Sequence, residues 1–219
     1  MQQHDENNRS VDFKRLQAII DGDGSEIRQQ FIYAGLLLTI FERFKDYVVD
    51  RVDEFLAHRF EVRDGDLIFT RSEEFKAIIK EKGMGDAGQH RNKDFRAALR
   101  WLHGFNAIDQ AELDHVERLY GLRNEIGHEL FRIVADDAKA PIQIIDVVMT
   151  LAIYVKVVRW WIKEIDAATD PDMTKEKYES AAWDSAESSD TVFLRLILRK
   201  SLAGDRDWED LQRAMQESA

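Results

Sequence analysis

Only two prolines, Pro141 and Pro171, interrupt this chain of 219 residues. Proline removes a backbone donor and clashes with the preceding helical turn, so most of the chain is free to run as long helices. The 11 glycines are scattered rather than gathered into Gly/Ser tracts, which disfavours a turn-rich β fold. The apolar residues use this freedom. Ile27, Phe31, Ala34, Leu37, Leu38, Phe41, Phe44, Val48, Val52, Phe55 and Leu56 recur at helical spacing, predicting one helix from Glu26 to about Phe60, roughly 50 Å long.

The remaining punctuation divides the chain into helices. Residues 1–10 are polar, and a short helix is expected over Phe13–Ile20. Asp21 to Ser25 reads as a turn ending in an N-cap. Arg63-Asp64-Gly65-Asp66 breaks the long helix. A short helix is expected over Ser72–Lys82, another from about Arg91 to His103, and a longer one from near Asp109 to about Ala135. Pro141 opens the next helix, which reaches Ile165 and is apolar on nearly every side, as the central helix of a bundle is. Asp170-Pro171-Asp172 ends it. Beyond lie a Ser/Ala/Asp-rich stretch, an apolar run over Thr191–Leu202 and a last helix over Asp207–Met215. The expectation is an all-α fold: an up-and-down helical bundle over residues 24–168, an N-terminal arm over 1–23 and a C-terminal helical extension over 169–219, packed on the bundle or on a partner.

Several function classes are excluded or disfavoured. The chain has no cysteine, which removes disulfides, thiolate metal sites and thiol catalysis. The run MQQHDENNRS lacks the basic and apolar parts of a secretion signal, and the best apolar run, Phe31 to Phe41, is shorter than the roughly 20 residues a bilayer span needs. A soluble, cytoplasmic protein with no membrane partner is expected. The formal net charge of −11 argues against non-specific coating of nucleic acid, but leaves room for a small basic pocket that handles one phosphate.

The chemistry concentrates in Arg123-Asn124-Glu125-Ile126-Gly127-His128-Glu129-Leu130. At 100° per residue with Ile126 at the centre of the core stripe, Leu119, Leu122, Leu130 and Ile133 fall within about 40° of it. Asn124 and His128 lie roughly 160° away, flanked by Tyr120 and Phe131, so His128 stands off the local core while His115, about 20° from the stripe, reads as a core histidine. A face that carries Leu113, Tyr120 and Phe131 beside Asn124 and His128 is too apolar to be wholly wet, so another helix or a second subunit is expected on it. Gly121 and Gly127, each costing about 1 kcal/mol relative to alanine inside a helix, suggest close approach of a partner there. Arg123 lies about 140° from His128 and roughly 7.5 Å along the axis, near enough for its long side chain to flank one phosphate with the histidine.

An arginine, a neighbouring polar residue and a histidine, with four residues between the arginine and the histidine, set in a late helix of a bundle and followed by one more apolar helix, resemble the signature of the HEPN superfamily. The resemblance spans about residues 24–168. It implies a metal-independent endoribonuclease, with no cofactor, in which a ribose 2′-OH attacks the adjacent phosphate and leaves a 2′,3′-cyclic phosphate. His128 would move the proton, Arg123 would stabilise charge on the phosphate oxygens, and Asn124 would orient His128 or bond the phosphate. Arg132, one turn on, is a candidate for the RNA backbone or a surface ion pair. The implied partners are RNA (a tRNA or another structured RNA), a second copy of the chain through the motif helix, and an antitoxin or regulatory protein, in a toxin–antitoxin or phage-defence setting. Where nucleotidylated HEPN toxins carry a tyrosine two residues after the histidine, this chain has Leu130, so that mode of silencing is not expected.

The alternative is a non-catalytic HEPN-like module that binds or scaffolds proteins. Glu112…His115 and Glu125…His128 resemble the ligand pairs of di-iron bundles, yet they share one helix about 20 Å apart, whereas such sites draw on different helices. Trp160-Trp161 reads as core before base stacking, and Arg195, Arg199 and Lys200 as a solvated basic face.

Overall fold

The structure is a computed structural model that describes residues 14–217 apart from 23, 57–58, 64–65, 71–72, 74–76, 78–89 and 136–138. The described residues are mostly helical. Helix α1 covers Lys14–Asp21 and α2 Ser25–Leu56, followed by strands β1 (Arg59–Arg63) and β2 (Asp66–Thr70). Then come α3 (His90–Gly104), α4 (Gln110–Ala135) and α5 (Ile144–Trp161). A π-helix, Ile162–Asp166, continues α5 into a last α-turn, Ala167–Thr169. The C-terminal part holds α6 (Lys175–Ser180), a 3-10 turn at Trp183–Ser185, α7 (Ser189–Ser201) and α8 (Arg206–Glu217).

Helix α2 is the spine. Its buried residues Tyr33, Leu37, Ile40, Phe41, Phe44, Val48 and Val52 meet three helices at once. Gln30 bonds both the N–H and the carbonyl of Ile142, Phe44 and Tyr47 pack on Tyr154, and Phe55 meets Trp161, so α2 and α5 run in parallel. Phe41 and Phe44 meet Phe95, and Phe55 meets Trp101, which makes α3 parallel to α2 as well. Helix α4 runs the other way, since Glu112 meets Lys156 and Arg118 meets Asp146 of α5, and it pairs Glu117 with Arg96 of α3.

Strict up-and-down order therefore holds from α3 to α5 but not between α2 and α3, whose connection returns the chain to the starting end. The return contains a hairpin in place of the expected end of the long helix. Helix α2 stops at Leu56 rather than Phe60, and Arg59–Arg63 pairs antiparallel with Asp66–Thr70 in a register that sets Arg63 opposite Asp66. Two residues, Asp64-Gly65, join the strands, a pair well suited to a two-residue hairpin. The expected helix Ser72–Lys82 falls almost wholly outside the described residues, as do residues 1–13 of the arm expected over 1–23, whose short helix the structure gives as Lys14–Asp21.

Other boundaries match the sequence pattern closely. Helix α4 opens on a capping box: the Asp109 side chain accepts from the Glu112 N–H at 2.9 Å, and the Asp109 N–H donates to the Glu112 carboxylate at 2.8 Å. Pro141 does not itself begin α5. It precedes Ile142, tied to Gln30, and the helix starts at Ile144 behind an extended Gln143. The C-terminal segment shares the bundle core, since Leu194, Leu198 and Leu202 are buried in it and the Tyr33 hydroxyl meets the Asp205 carboxylate. Two residues expected inside are largely outside: Phe31 is 52% exposed and Phe55 40%. Among the described residues, no helix is long and apolar enough to cross a membrane.

Candidate functional site

The motif lies in the second half of α4, and the two halves of that helix differ. The first half is committed to the bundle. Leu113, Val116 and Leu119 are buried, and Tyr120 packs against Phe41 while the Arg96 guanidinium lies 5.1 Å above its ring centre. In the second half the core stripe holds, with Ile126 and Ile133 buried and Leu130 packed against the core. The opposite side is open: Gly127, His128 and Phe131 are exposed, Phe131 by 65%.

The cover expected over His128 and Phe131 is therefore absent within the described residues. The glycines teach the same lesson. A Cβ placed on Gly121 or Gly127 would meet nothing within 4 Å, so neither marks close approach of another described element of this chain. Gly127 instead precedes a break in the helix. Glu129 leaves helical geometry, at φ −132° and ψ 25°, immediately after His128, and glycine's weak helix preference makes that neighbourhood a favourable place to kink.

Arg123 is held by a residue that no local spacing pointed to. Its Nε donates to the Glu42 carboxylate on α2 at 2.5 Å, and its Nη2 lies 2.5 Å from the same oxygen. Its Nη1 donates to the Asn124 side-chain oxygen at 3.1 Å. With side chains 31% and 36% exposed, the Arg123–Glu42 pair contributes about 0–1 kcal/mol to stability. Its main effect is orientation. Of the five N–H groups of the guanidinium, these contacts engage three. Asn124 thus serves Arg123, not His128 as one expectation had it, because arginine's long side chain can bend back to its neighbour on the helix. His128 makes no hydrogen bond or ion pair with any described residue.

Every basic group around the motif faces an acid. Arg96 pairs with Glu117, Arg123 with Glu42, Arg132 with Glu129 at 3.1 Å, and Lys139 with Glu125 and Glu129. Arg132 thus makes the surface ion pair. Among the described residues, the surroundings of His128 carry no basic patch of the kind that draws nucleic acid by field alone.

His115, expected as a core histidine, is only half-buried. Its Nδ1 lies 3.2 Å from Nη2 of Arg118, and its Nε2 is buried without a partner among the described residues. Burial, reinforced by the Arg118 charge and opposed by Asp146, lowers its pKa below the ordinary histidine value. The two glutamates of the Glu-x-x-His strings have other work: Glu112 caps α4 and meets Lys156 at 2.6 Å, and Glu125 meets Lys139. Among the described residues, no group of three His, Asp or Glu side chains is arranged to hold a metal ion.

Trp161 is buried and Trp160 half-buried in one aromatic cluster with Trp101. In the basic run, Arg195 pairs with Glu187 at 2.6 Å while Arg199 and Lys200 are exposed. No family model, curated protein or solved structure matches the chain.

Proposed function

We propose that this protein is a metal-independent endoribonuclease of the HEPN type, acting through Arg123 and His128. One observation carries the reading: His128 is exposed on the open half of α4, with no partner among the described residues, while Arg123 nearby is fixed by Glu42 and Asn124 with part of its guanidinium uncommitted. A proton carrier needs a vacant ring nitrogen and access to substrate. A phosphate clamp needs a guanidinium of defined orientation.

In the proposed reaction the 2′-oxygen of a ribose forms a bond to phosphorus and loses its proton, while the bond from phosphorus to the 5′-oxygen breaks and that oxygen gains a proton. The products are a 2′,3′-cyclic phosphate and a 5′-hydroxyl. Arg123 bears the charge on the non-bridging oxygens and His128 handles one of the two protons. A second copy of the motif would supply the other proton carrier, and the open surface with Gly127 and Phe131 leaves room for that copy. The balanced charges around the motif favour a structured RNA such as a tRNA, held by shape, over loose electrostatic capture. A toxin–antitoxin or phage-defence setting, in the cytoplasm and under a regulatory partner, belongs to the same proposal.

A specific observation also favours the second reading, a non-catalytic protein-binding module: Arg123 already has its acid in Glu42. The two are separated by incubating the protein with total RNA and a tRNA pool in excess EDTA and identifying the new ends. EDTA-resistant cutting with cyclic phosphate ends is the expected outcome. No cutting, or cutting only with divalent ions, overturns the ribonuclease reading.

A further inference from the structure

At the end of the bundle away from the motif, four elements converge on a cavity of about 620 Å³, within the usual size range of small-molecule sites. Helix α2 contributes Phe55, α3 and its following turn contribute Trp101, Phe105 and Asn106, the end of α5 contributes Trp160, and the π-helix contributes Glu164 and Ile165. The aromatic rings form walls at different angles. Trp101 stands at 83° to Trp160 with ring centres 6.3 Å apart, at 55° to Phe55 at 5.6 Å, and at 42° to Phe105 at 4.6 Å. Phe55 and Phe105 remain 40% and 56% exposed, an unusual amount of ring surface to leave wet around a concavity.

Two backbone irregularities build the walls. Asn106 adopts φ 58°, a left-handed conformation that asparagine tolerates better than most residues, and this turn ends α3 beside Phe105. The helix after Trp161 widens into a π-turn, with the Ala167 N–H bonded to the Ile162 carbonyl. Bonding from i to i+5 brings the fifth residue as well as the fourth beneath a given side chain, so Glu164 and Ile165 both share the cavity with Trp160. π-turns are rare and occur frequently at functional sites.

The lining selects by charge. Among the described residues, its single ionisable group is Glu164, paired with Lys163 in a solvent-exposed contact at 3.2 Å. A nucleotide or other anion would meet a carboxylate and no cation in the lining. An alkylated ammonium would meet ring faces of negative potential and an acid at the rim.

We propose that this cavity binds a small organic cation of the quaternary-ammonium class, its methyl groups against Trp101, Phe105 and Trp160 and its charge beside Glu164. The site is independent of the ribonuclease reading and stands or falls separately. It is tested by titrating the full chain with choline and with tetramethylammonium, followed by calorimetry and tryptophan fluorescence. 3,3-Dimethylbutan-1-ol, the uncharged isostere of choline, serves as the comparison. Saturable binding of both cations is expected, with the isostere about tenfold or more weaker. Trp160→Ala abolishes saturation, and the conservative Glu164→Gln, at an exposed side chain, weakens choline severalfold at unchanged circular dichroism. Absence of saturation by either cation overturns the proposal. So does equal affinity for the isostere, which would make the cavity merely apolar, or choline binding unaffected by Glu164→Gln.

Discussion

The two halves of α4 are made of similar residues and do different things. From Gln110 to Leu122 its side chains are spent on the bundle: a capping box at Asp109 and Glu112, buried Val116 and Leu119, and Tyr120 held between Phe41 and Arg96. From Arg123 to Ala135 the core stripe continues through Ile126 and Ile133, while the opposite face carries an exposed histidine and an exposed phenylalanine next to a break at Glu129. The difference shows how one helix can be a structural member on one side and an open surface on the other. The buried stripe fixes the helix, and where the described neighbouring helices leave its other side uncovered, His128 and Phe131 face solvent.

The largest effect that separates the halves is on stability. Leu119→Ala removes a fully buried side chain and is expected to cost about 2–5 kcal/mol in urea unfolding, whereas His128→Ala should change stability by no more than about 0.5 kcal/mol. Comparable losses would mean that the open face is part of the packed core. Next comes Glu42→Gln, which removes the charge that orients Arg123 and leaves its bond to Asn124. Its kcat for RNA cleavage should fall about tenfold with little change in KM, partial recovery is expected in Glu42→Asp, and stability should shift by about 1 kcal/mol or less. Unchanged kcat would show that Glu42 does not position the arginine for catalysis.

A smaller effect distinguishes the two histidines by pH. Because burial lowers the His115 pKa in the folded protein, the unfolded chain binds more protons at mildly acidic pH. The stability contributed by neutral His115 is present above about pH 6.5 and is lost as the pH falls below it. Unfolding midpoints measured at about pH 7.5 and pH 5.5 should drop further in the wild type than in His115→Phe; equal drops would place the acid sensitivity elsewhere. The smallest stability effect is that of Phe131→Asp, expected within about 0.5 kcal/mol. Its signature is in assembly, as sedimentation should show a dimer in the wild type and a monomer in the variant. A variant that sediments like the wild type would remove the motif face from any dimer contact.

Much of this was legible in the chain. Helical spacing placed α2, α3 and α4 to within a few residues, and 100° steps put Ile126 and Ile133 inside and His128 off the core. Periodicity identifies a face but not what covers it. Phe31 and Phe55 share the apolar pattern of α2, yet the neighbouring helices leave both substantially exposed, and no described helix of the chain covers Phe131. Glu42 stands 81 residues from Arg123 and is one of many acids on helix surfaces, so no local signal marked it. The hairpin after Leu56 carried one, the Asp64-Gly65 pair between two alternating segments, which read as a helix break because the preceding helical pattern was so strong. The aromatic cavity depended on Asn106 and the π-turn, backbone features that no residue spacing announces.

The role proposed for His128 is to carry a proton in RNA cleavage. The decisive experiment is single-turnover cleavage of one RNA substrate in EDTA, with wild type and His128→Ala matched for unfolding midpoint. A loss of about 10²-fold or more is expected in the variant. Equal cleavage by the two proteins would rule that role out.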